Sequence, residues 1–179
     1  MDKKDLAIIG DSEYIKMLEK IKKSYTSRQL KAAVSVNSEM LKFYYSLGEE
    51  IISLKAESRW GSGFYKKLSS DLKNEIPNVK GFSVTNLKYM KKFYQMYSPL
   101  NRPQAVDDLQ ISKVGGDFNM IFSIPWGHQR YIMDRCEGNL NKAFFFISKT
   151  LENSWSRAVL LNFLDTDLFE RQGKAITNF

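Results

Sequence analysis

Apolar residues recur at spacings of three and four along most of this chain, and this rhythm constrains its fold more than any other feature. The longest stripe runs through residues 30–54. An α-helix brings residues three and four positions apart onto one face, whereas a strand brings alternate residues there. Strict alternation is scarce in this sequence. We therefore predict a mainly α fold, a helical bundle with at most a small β-hairpin.

Capping residues divide the first part of the chain into expected helices. Asp11 or Ser12 can cap a first helix, and Ser27 can open a second one that carries the long stripe. Asn37 falls within that stripe, where a polar side chain must find a partner. We therefore expect a buried hydrogen bond at Asn37 that fixes helix register or a dimer seam.

Two shorter helices around a turn are predicted next. The segment WGSG at 60–63 ends the stripe, and a third helix is expected after it. Residues 77–82 are predicted to form a turn, and Ser83 can cap a fourth helix that reaches Tyr97. Two helices around a short glycine-containing turn are typical of a helix-turn-helix, which we place at about 62–97.

The periodicity weakens after Tyr97 and then returns. Residues 98–125 are expected to form a loop or a hairpin, which would make the module a winged one, with 111–114 and 118–124 as strands. Asn139 or Asn141, and then Ser154, can cap later helices. The expected organisation is a tail at 1–10, a helical region at 11–97, the segment 98–125 and a C-terminal helical part of the same domain at 126–179.

Residues 144–147 are apolar on more than one helix face. Such a helix is either buried on several sides or shared with a partner chain. These residues therefore predict either burial within the chain or a homodimer that uses this surface together with the long helix.

Positive charge is concentrated in the predicted helix-turn-helix. The chain carries 27 Lys and Arg against 20 Asp and Glu, a net charge of +7. Residues 59–97 carry +6 of it, and the other 140 residues together carry +1. Clustered cations attract a polyanion through phosphate contacts and counterion release, so nucleic acid, in particular double-stranded DNA, is the expected partner. A solvated lysine-rich face is the alternative.

The fourth predicted helix separates an apolar face from a basic one. At 100° per residue, Leu87 and Met90 lie on one side, and Thr85, Lys88 and Lys92 lie on the other. The second helix of a helix-turn-helix enters the major groove, so we expect the basic face to point outward as a ridge. The expected nucleic-acid-binding residues are Arg59, Lys66, Lys67, Lys80, Ser83, Thr85, Asn86, Lys88, Tyr89, Lys91 and Lys92.

Specific roles follow from residue type. Lys88 and Lys92 are expected to contact phosphates, and Thr85 and Asn86 to contact base edges or the sugar-phosphate backbone. DNA binding by this helix requires the outward-pointing ridge. If Lys88 and Lys92 packed against other parts of the fold or faced acidic neighbours, the helix would not be expected to bind DNA.

The sequence offers little for catalysis or metal binding. With one cysteine, Cys136, and one histidine, His128, it supplies neither an internal disulfide nor a closed zinc site of Cys and His ligands. It has no glycine-rich phosphate-binding loop and no nucleophile motif, so we expect no catalytic centre, cofactor or metal. No apolar run approaches the ~20 residues of a membrane-spanning helix, and no signal sequence is evident. We expect a cytoplasmic protein without membrane contact.

Dispersed residues along almost the whole chain match one known family. They are VNSEML at 36–41, Tyr44, Tyr45, Gly48, Trp60, Gly61, LSSDL at 68–72, GFS at 81–83, Asn86, Leu87, Met90, Phe93, Tyr94, IPWGH at 124–128, WSR at 155–157 and TNF at 177–179. In these residues the chain resembles the YhcG N-terminal domain family, also called DUF1016. The resemblance implies a helical, DNA-binding module that is usually joined to a C-terminal PD-(D/E)XK nuclease domain. Tyr45, Arg59 and Ser154 depart from the residues common in the family.

Two functions are consistent with these features. The first is a DNA-binding, nuclease-associated module, of the kind used in restriction or defence against mobile elements, with the nuclease in cis or supplied in trans by a partner. The second is a protein-interaction or dimerisation module without direct nucleic-acid binding. A gel shift at two salt concentrations combined with light scattering separates them.

Overall fold

The computed structural model describes residues 12–101 and 117–173, and their regular structure is helical. We name the helices α1 (Ser12–Ser53), α2 (Ala56–Trp60), α3 (Phe64–Glu75), α4 (Val84–Tyr97), α5 (Trp126–Arg135), α6 (Leu140–Asn153), α7 (Arg157–Leu164) and α8 (Leu168–Gly173). Short 3-10 helices lie at Ser98–Asn101 and Phe118–Phe122. No strand occurs in these two ranges, so the prediction of a mainly α fold is confirmed.

The first helix is longer than predicted. We expected a new helix to open at Ser27, but α1 continues without a break from Ser12 to Ser53. The physical reason is that Ser27 costs a helix only about half a kcal/mol, and no proline or glycine stands nearby to stop it. The contacts within the chain divide it into two units, Met1–Val36 and Asn37–Phe179.

The unit Asn37–Phe179 contains two apolar clusters. One surrounds Phe93, Tyr97 and Phe144 and joins α1 and α4 to the C-terminal helices. The other surrounds Leu87 and Met90 and joins α1, α2, α3 and α4. The face of α4 predicted to be apolar is therefore its core face. Asn37 donates to the carbonyl oxygen of Ile124 at 3.1 Å, so it has the expected hydrogen bond, but the bond is partly buried and not fully buried as predicted.

The C-terminal helices differ from the predictions in two respects. Residues 144–147 were considered as a partner surface, but Phe144, Phe146 and Ile147 are buried in the chain's own core, and the ring of Phe145 packs on Phe169. That interpretation is wrong because the helices that follow α6 cover its several apolar faces. Asn139 does cap α6, accepting a hydrogen bond from the Lys142 amide.

Ser154 is not the helix cap that we expected. It ends α6 in a left-handed conformation with φ of 51°, and Ser156 caps α7 through the Val159 amide. In the segment predicted to be a loop or hairpin, residues 118–122 form a 3-10 helix, and 111–114 lie outside the described residues.

No helix in the described ranges combines the length and the apolar character needed to cross a bilayer.

Candidate nucleic-acid interface

Three side-chain hydrogen bonds hold the turn between α3 and α4. Ser83 occupies the N-cap of α4 and accepts from the Asn86 amide at 3.2 Å. Ser69, which is buried, donates to the carbonyl oxygen of Phe82 at 2.6 Å, and Asn86 donates to that of Gly81, also at 2.6 Å. The turn is therefore fixed from both helices, as the capping pattern at Ser83 predicts.

Asn86 was expected to contact bases or the sugar-phosphate backbone, but its side chain is used within the fold. Its amide nitrogen binds Gly81, and its oxygen accepts from the indole nitrogen of Trp126 at 2.6 Å. Both polar groups of the side chain thus have internal partners. Asn86 links the turn to the start of α5.

Acidic residues of the α5 region neutralise part of the predicted ridge. Lys92 lies 3.2 Å from an oxygen of Asp134 and 3.1 Å from one of Glu137. Partial burial alone would lower the pKa of Lys92, but the hydrogen bonds to the two carboxylates outweigh it and raise the pKa. Tyr89 donates to Asp134 at 2.6 Å, and Arg130 lies over its ring at 4.3 Å. For Lys92, the prediction of a free cationic ridge is wrong.

Lys91 is also paired, on the other side of α4. Its ammonium lies 2.6 Å from a carboxylate oxygen of Glu57 in α2. This hydrogen bond lowers the pKa of Glu57. The prediction of a free ridge is therefore wrong for Lys91 as well, because helical periodicity cannot show an acid 34 residues away in sequence.

Lys88 remains exposed between these two ion-paired regions. Its ammonium lies 5.7 Å from the ring centre of Tyr65 in α3. On its other side is a shallow cleft of about 260 Å³, which Thr85, Lys88 and Lys92 help to line. Thr85 is exposed at the start of α4. The N-terminal part of the predicted ridge thus stays accessible to a ligand.

An aromatic stack continues the exposed surface at the end of α2. The rings of Trp60 and Phe64 are stacked, with centres 5.5 Å apart and an angle of 20° between planes. Trp60 is 51% exposed, and the guanidinium of Arg59 lies 5.3 Å from its ring centre. An exposed ring beside cations is a feature of proteins that bind single-stranded nucleic acids. We did not predict a role for Trp60, although the signal of an aromatic residue among basic ones is present in the sequence.

Helix α3 presents two further lysines on its solvent side. Lys66 and Lys73 are seven residues apart, which is about two turns, so they share a face. Both are exposed, although Lys73 lies one turn from the buried Ser69, so the two lysines flank the buried face of the helix. Lys67 pairs with Asp71 at 2.6 Å.

Four of the accessible cations in residues 59–97 therefore lie on α3 or close to it. We call this set the α3 basic surface, and it consists of Arg59, Trp60, Lys66, Lys73, Thr85 and Lys88. None of its cations makes an ion pair within the described residues. Lys80 is exposed in the turn, and Ser83 is exposed but acts as the cap. Lys73 belongs to the charge cluster that the sequence shows, yet we did not count it among the binding residues.

The described residues contain no group of three or more His, Cys, Asp and Glu side chains that could hold a metal ion. His128 hydrogen-bonds with the Trp155 carbonyl through its Nε2 at 3.0 Å. Gln129, fully buried, accepts a hydrogen bond from Tyr97 at 3.2 Å. These two polar residues of α5 thus serve the packing of the C-terminal helices.

Of three comparisons with known proteins, one finds a match. No curated protein and no solved structure matches the chain significantly. One family model does match, that of the DUF1016 N-terminal domain, and it covers residues 20–171. The match extends over α3, α4 and the C-terminal helices. Since the model covers far more than half of the sequence, the chain belongs to the DUF1016 N-terminal domain family.

Proposed function

We propose that this chain is a nucleic-acid-binding module that contacts the phosphates of double-stranded DNA through the α3 basic surface. The observation that carries the proposal is the exposure of four cations, Arg59, Lys66, Lys73 and Lys88, that make no ion pair within the described residues. Each can neutralise a phosphate and release a counterion. In this role the module positions a PD-(D/E)XK nuclease domain, in cis or in trans.

The internal ion pairs determine which lysines are available to contact DNA phosphates. Moving Lys91 or Lys92 onto a phosphate would first require its separation from Glu57, or from Asp134 and Glu137. The freed carboxylates would then repel the same phosphates. The proposed binding surface therefore runs along α3 and the start of α4. Of the predicted ridge, it includes Thr85 and Lys88.

The test is the salt dependence of DNA binding. Binding of a fluorescent 25-base-pair duplex is followed by anisotropy between about 50 and 200 mM salt. We expect Lys66→Ala, Lys73→Ala and Lys88→Ala each to weaken binding and to reduce the slope of log K against log salt by about one unit. Lys149→Ala, which removes a lysine of α6 paired with Glu152, is the matched control and should leave the slope unchanged.

Two outcomes would overturn the proposal. One is a wild-type chain that does not bind the duplex. The other is a triple variant of Lys66, Lys73 and Lys88 whose affinity and salt slope equal those of the wild type.

A second candidate function is a protein-interaction module, and one observation favours it. Every residue from 12 to 36 of α1 is exposed, including nine large apolar side chains. Five of them, Tyr14, Met17, Leu18, Ile21 and Tyr25, share one face of the helix, and monomeric proteins rarely leave a large contiguous apolar patch in water. The two functions are compatible, because the α3 basic surface and residues 12–36 share no residue.

A further inference from the structure

The first half of α1 exposes apolar side chains that no described residue buries. Tyr14, Leu18, Ile21 and Tyr25 are between 41% and 62% exposed. Their spacings of four, three and four are those of a coiled-coil seam, which needs a second helix to cover it. Most of the stability of helices in proteins comes from packing of an amphipathic face, so a partner would also stabilise this segment.

The order of these four residues favours a second copy of the same segment as that partner. Read in either direction, the seam runs aromatic, aliphatic, aliphatic, aromatic with the same spacings. An antiparallel pair therefore places Tyr14 opposite Tyr25, and Leu18 opposite Ile21, in both halves of the interface. A two-fold dimer requires such a self-complementary surface.

We propose that residues 12–27 of two copies pair as an antiparallel two-helix seam whose two-fold axis passes between Glu19 and Lys20. This proposal does not depend on nucleic-acid binding. The apolar area that the two helices can bury places their pairing among weak associations. Five half-exposed side chains on this face, the four above and Met17, would bury about 1,000 Å² in total, which is near the lower limit for specific association. We expect a dissociation constant on the order of micromolar.

Charge gives the proposed dimer a distinctive response to salt. Residues 12–36 carry six basic and two acidic side chains, so two copies repel each other. Added salt screens this repulsion, and the Debye length falls from about 10 Å at 0.1 M to about 3 Å at 1 M. The dimer should therefore strengthen as salt rises, whereas DNA binding should weaken.

The first experiment measures self-association of the full chain by analytical ultracentrifugation at about 0.1 and 0.5 M salt. We expect a monomer–dimer equilibrium that shifts toward the dimer at the higher salt concentration. Leu18→Glu places a charge in the seam and should produce a monomer. Ser27→Glu adds the same charge on the opposite side of the helix and should leave the equilibrium little changed. A wild-type chain that stays monomeric at 100 μM would overturn the proposal.

Disulfide trapping tests the orientation. In the antiparallel pair, residue 18 faces residue 21, so a mixture of Leu18→Cys and Ile21→Cys chains should cross-link several-fold faster than either variant alone. Wild type is the control, because its cysteine, Cys136, is buried. Rapid cross-linking of each variant with itself would show a parallel pair and overturn the register.

An amphipathic basic helix could instead lie on an anionic membrane. A monomeric chain that co-sediments with phosphatidylserine vesicles, and loses this binding on Leu18→Glu, would assign the seam to lipid and contradict the dimer.

Discussion

Asn86 shows how one side chain can connect distant parts of this fold. It lies in the first turn of α4, where it binds the Gly81 carbonyl of the turn and the Trp126 indole of α5. Its residue type and its position near the helix N-terminus are also those of a base-contacting residue. The sequence alone does not separate these roles, because the partner Trp126 lies 40 residues further along the chain.

We predict that Asn86→Ala destabilises the protein by about 1–3 kcal/mol, because the partly buried Trp126 N–H and Gly81 carbonyl lose their partner. DNA affinity per folded molecule should not change. Urea unfolding and duplex anisotropy measure the two effects. Asn86→Asp keeps an acceptor for the indole and should lose less stability. An Asn86→Ala variant that is fully stable but weak in DNA binding would place this residue at the nucleic acid instead.

Gly48 permits a close approach between two helices. It lies in α1 where that helix meets α4, and a Cβ atom placed on it would overlap the carbonyl group of Met90 and lie 3.0 Å from the Cβ of Tyr94. The obstacle is mostly backbone, which cannot rotate away as a long side chain can. The contact between α1 and α4 therefore depends on the absence of a side chain at this position.

We predict that Gly48→Ala lowers the free energy of unfolding by about 2–3 kcal/mol, since overpacking here must separate the helices. The usual gain in helix propensity from Gly to Ala, about 1 kcal/mol, is too small to offset this effect. Urea denaturation checks the value. Gly63→Ala is the control, because no atom lies within 4 Å of its Cβ position. Equal stability of the two variants would contradict the close approach.

Local signals in the sequence predict most of the helix boundaries. Ser83 and Asn139 cap the helices expected of them because an N-cap depends on a hydrogen bond only three residues away. Ser27 failed as a start signal because the apolar periodicity on both sides supports a single helix. The ion pair of Lys92 with Asp134 could not be predicted, since it depends on how α4 packs against α5.

At the scale of the whole molecule, the charge of +6 counted over residues 59–97 overstates the positive charge that a ligand meets there, because the acids paired with Lys91 and Lys92 lie outside this range. Ion pairs such as those of Lys91 and Lys92 join helices that are distant in sequence, and others lie within one helix. A charge count along the chain correctly identifies the basic region. It does not identify the accessible cations, because pairing depends on the tertiary fold.

Cys136 provides a measure of the opening of the core in the unit Asn37–Phe179. Its thiol is buried in the cluster around Phe93, and burial raises its pKa to about 12. The thiolate is the reactive form, so the native protein at pH 8 should react with maleimide far more slowly than the unfolded chain. We expect labelling, followed by mass spectrometry, to become complete only in urea. Rapid labelling of the native protein would contradict this burial.

The stack of Trp60 on Phe64 places a fluorescent side chain in the α3 basic surface. Of its three tryptophans, Trp60 is exposed, whereas Trp126 and Trp155 are partly buried. We therefore expect iodide in solution to quench mainly the emission of Trp60, and a nucleic acid that covers the neighbouring Arg59 to shield it. Occupancy of the α3 basic surface can be followed from intrinsic fluorescence, without a dye on either molecule.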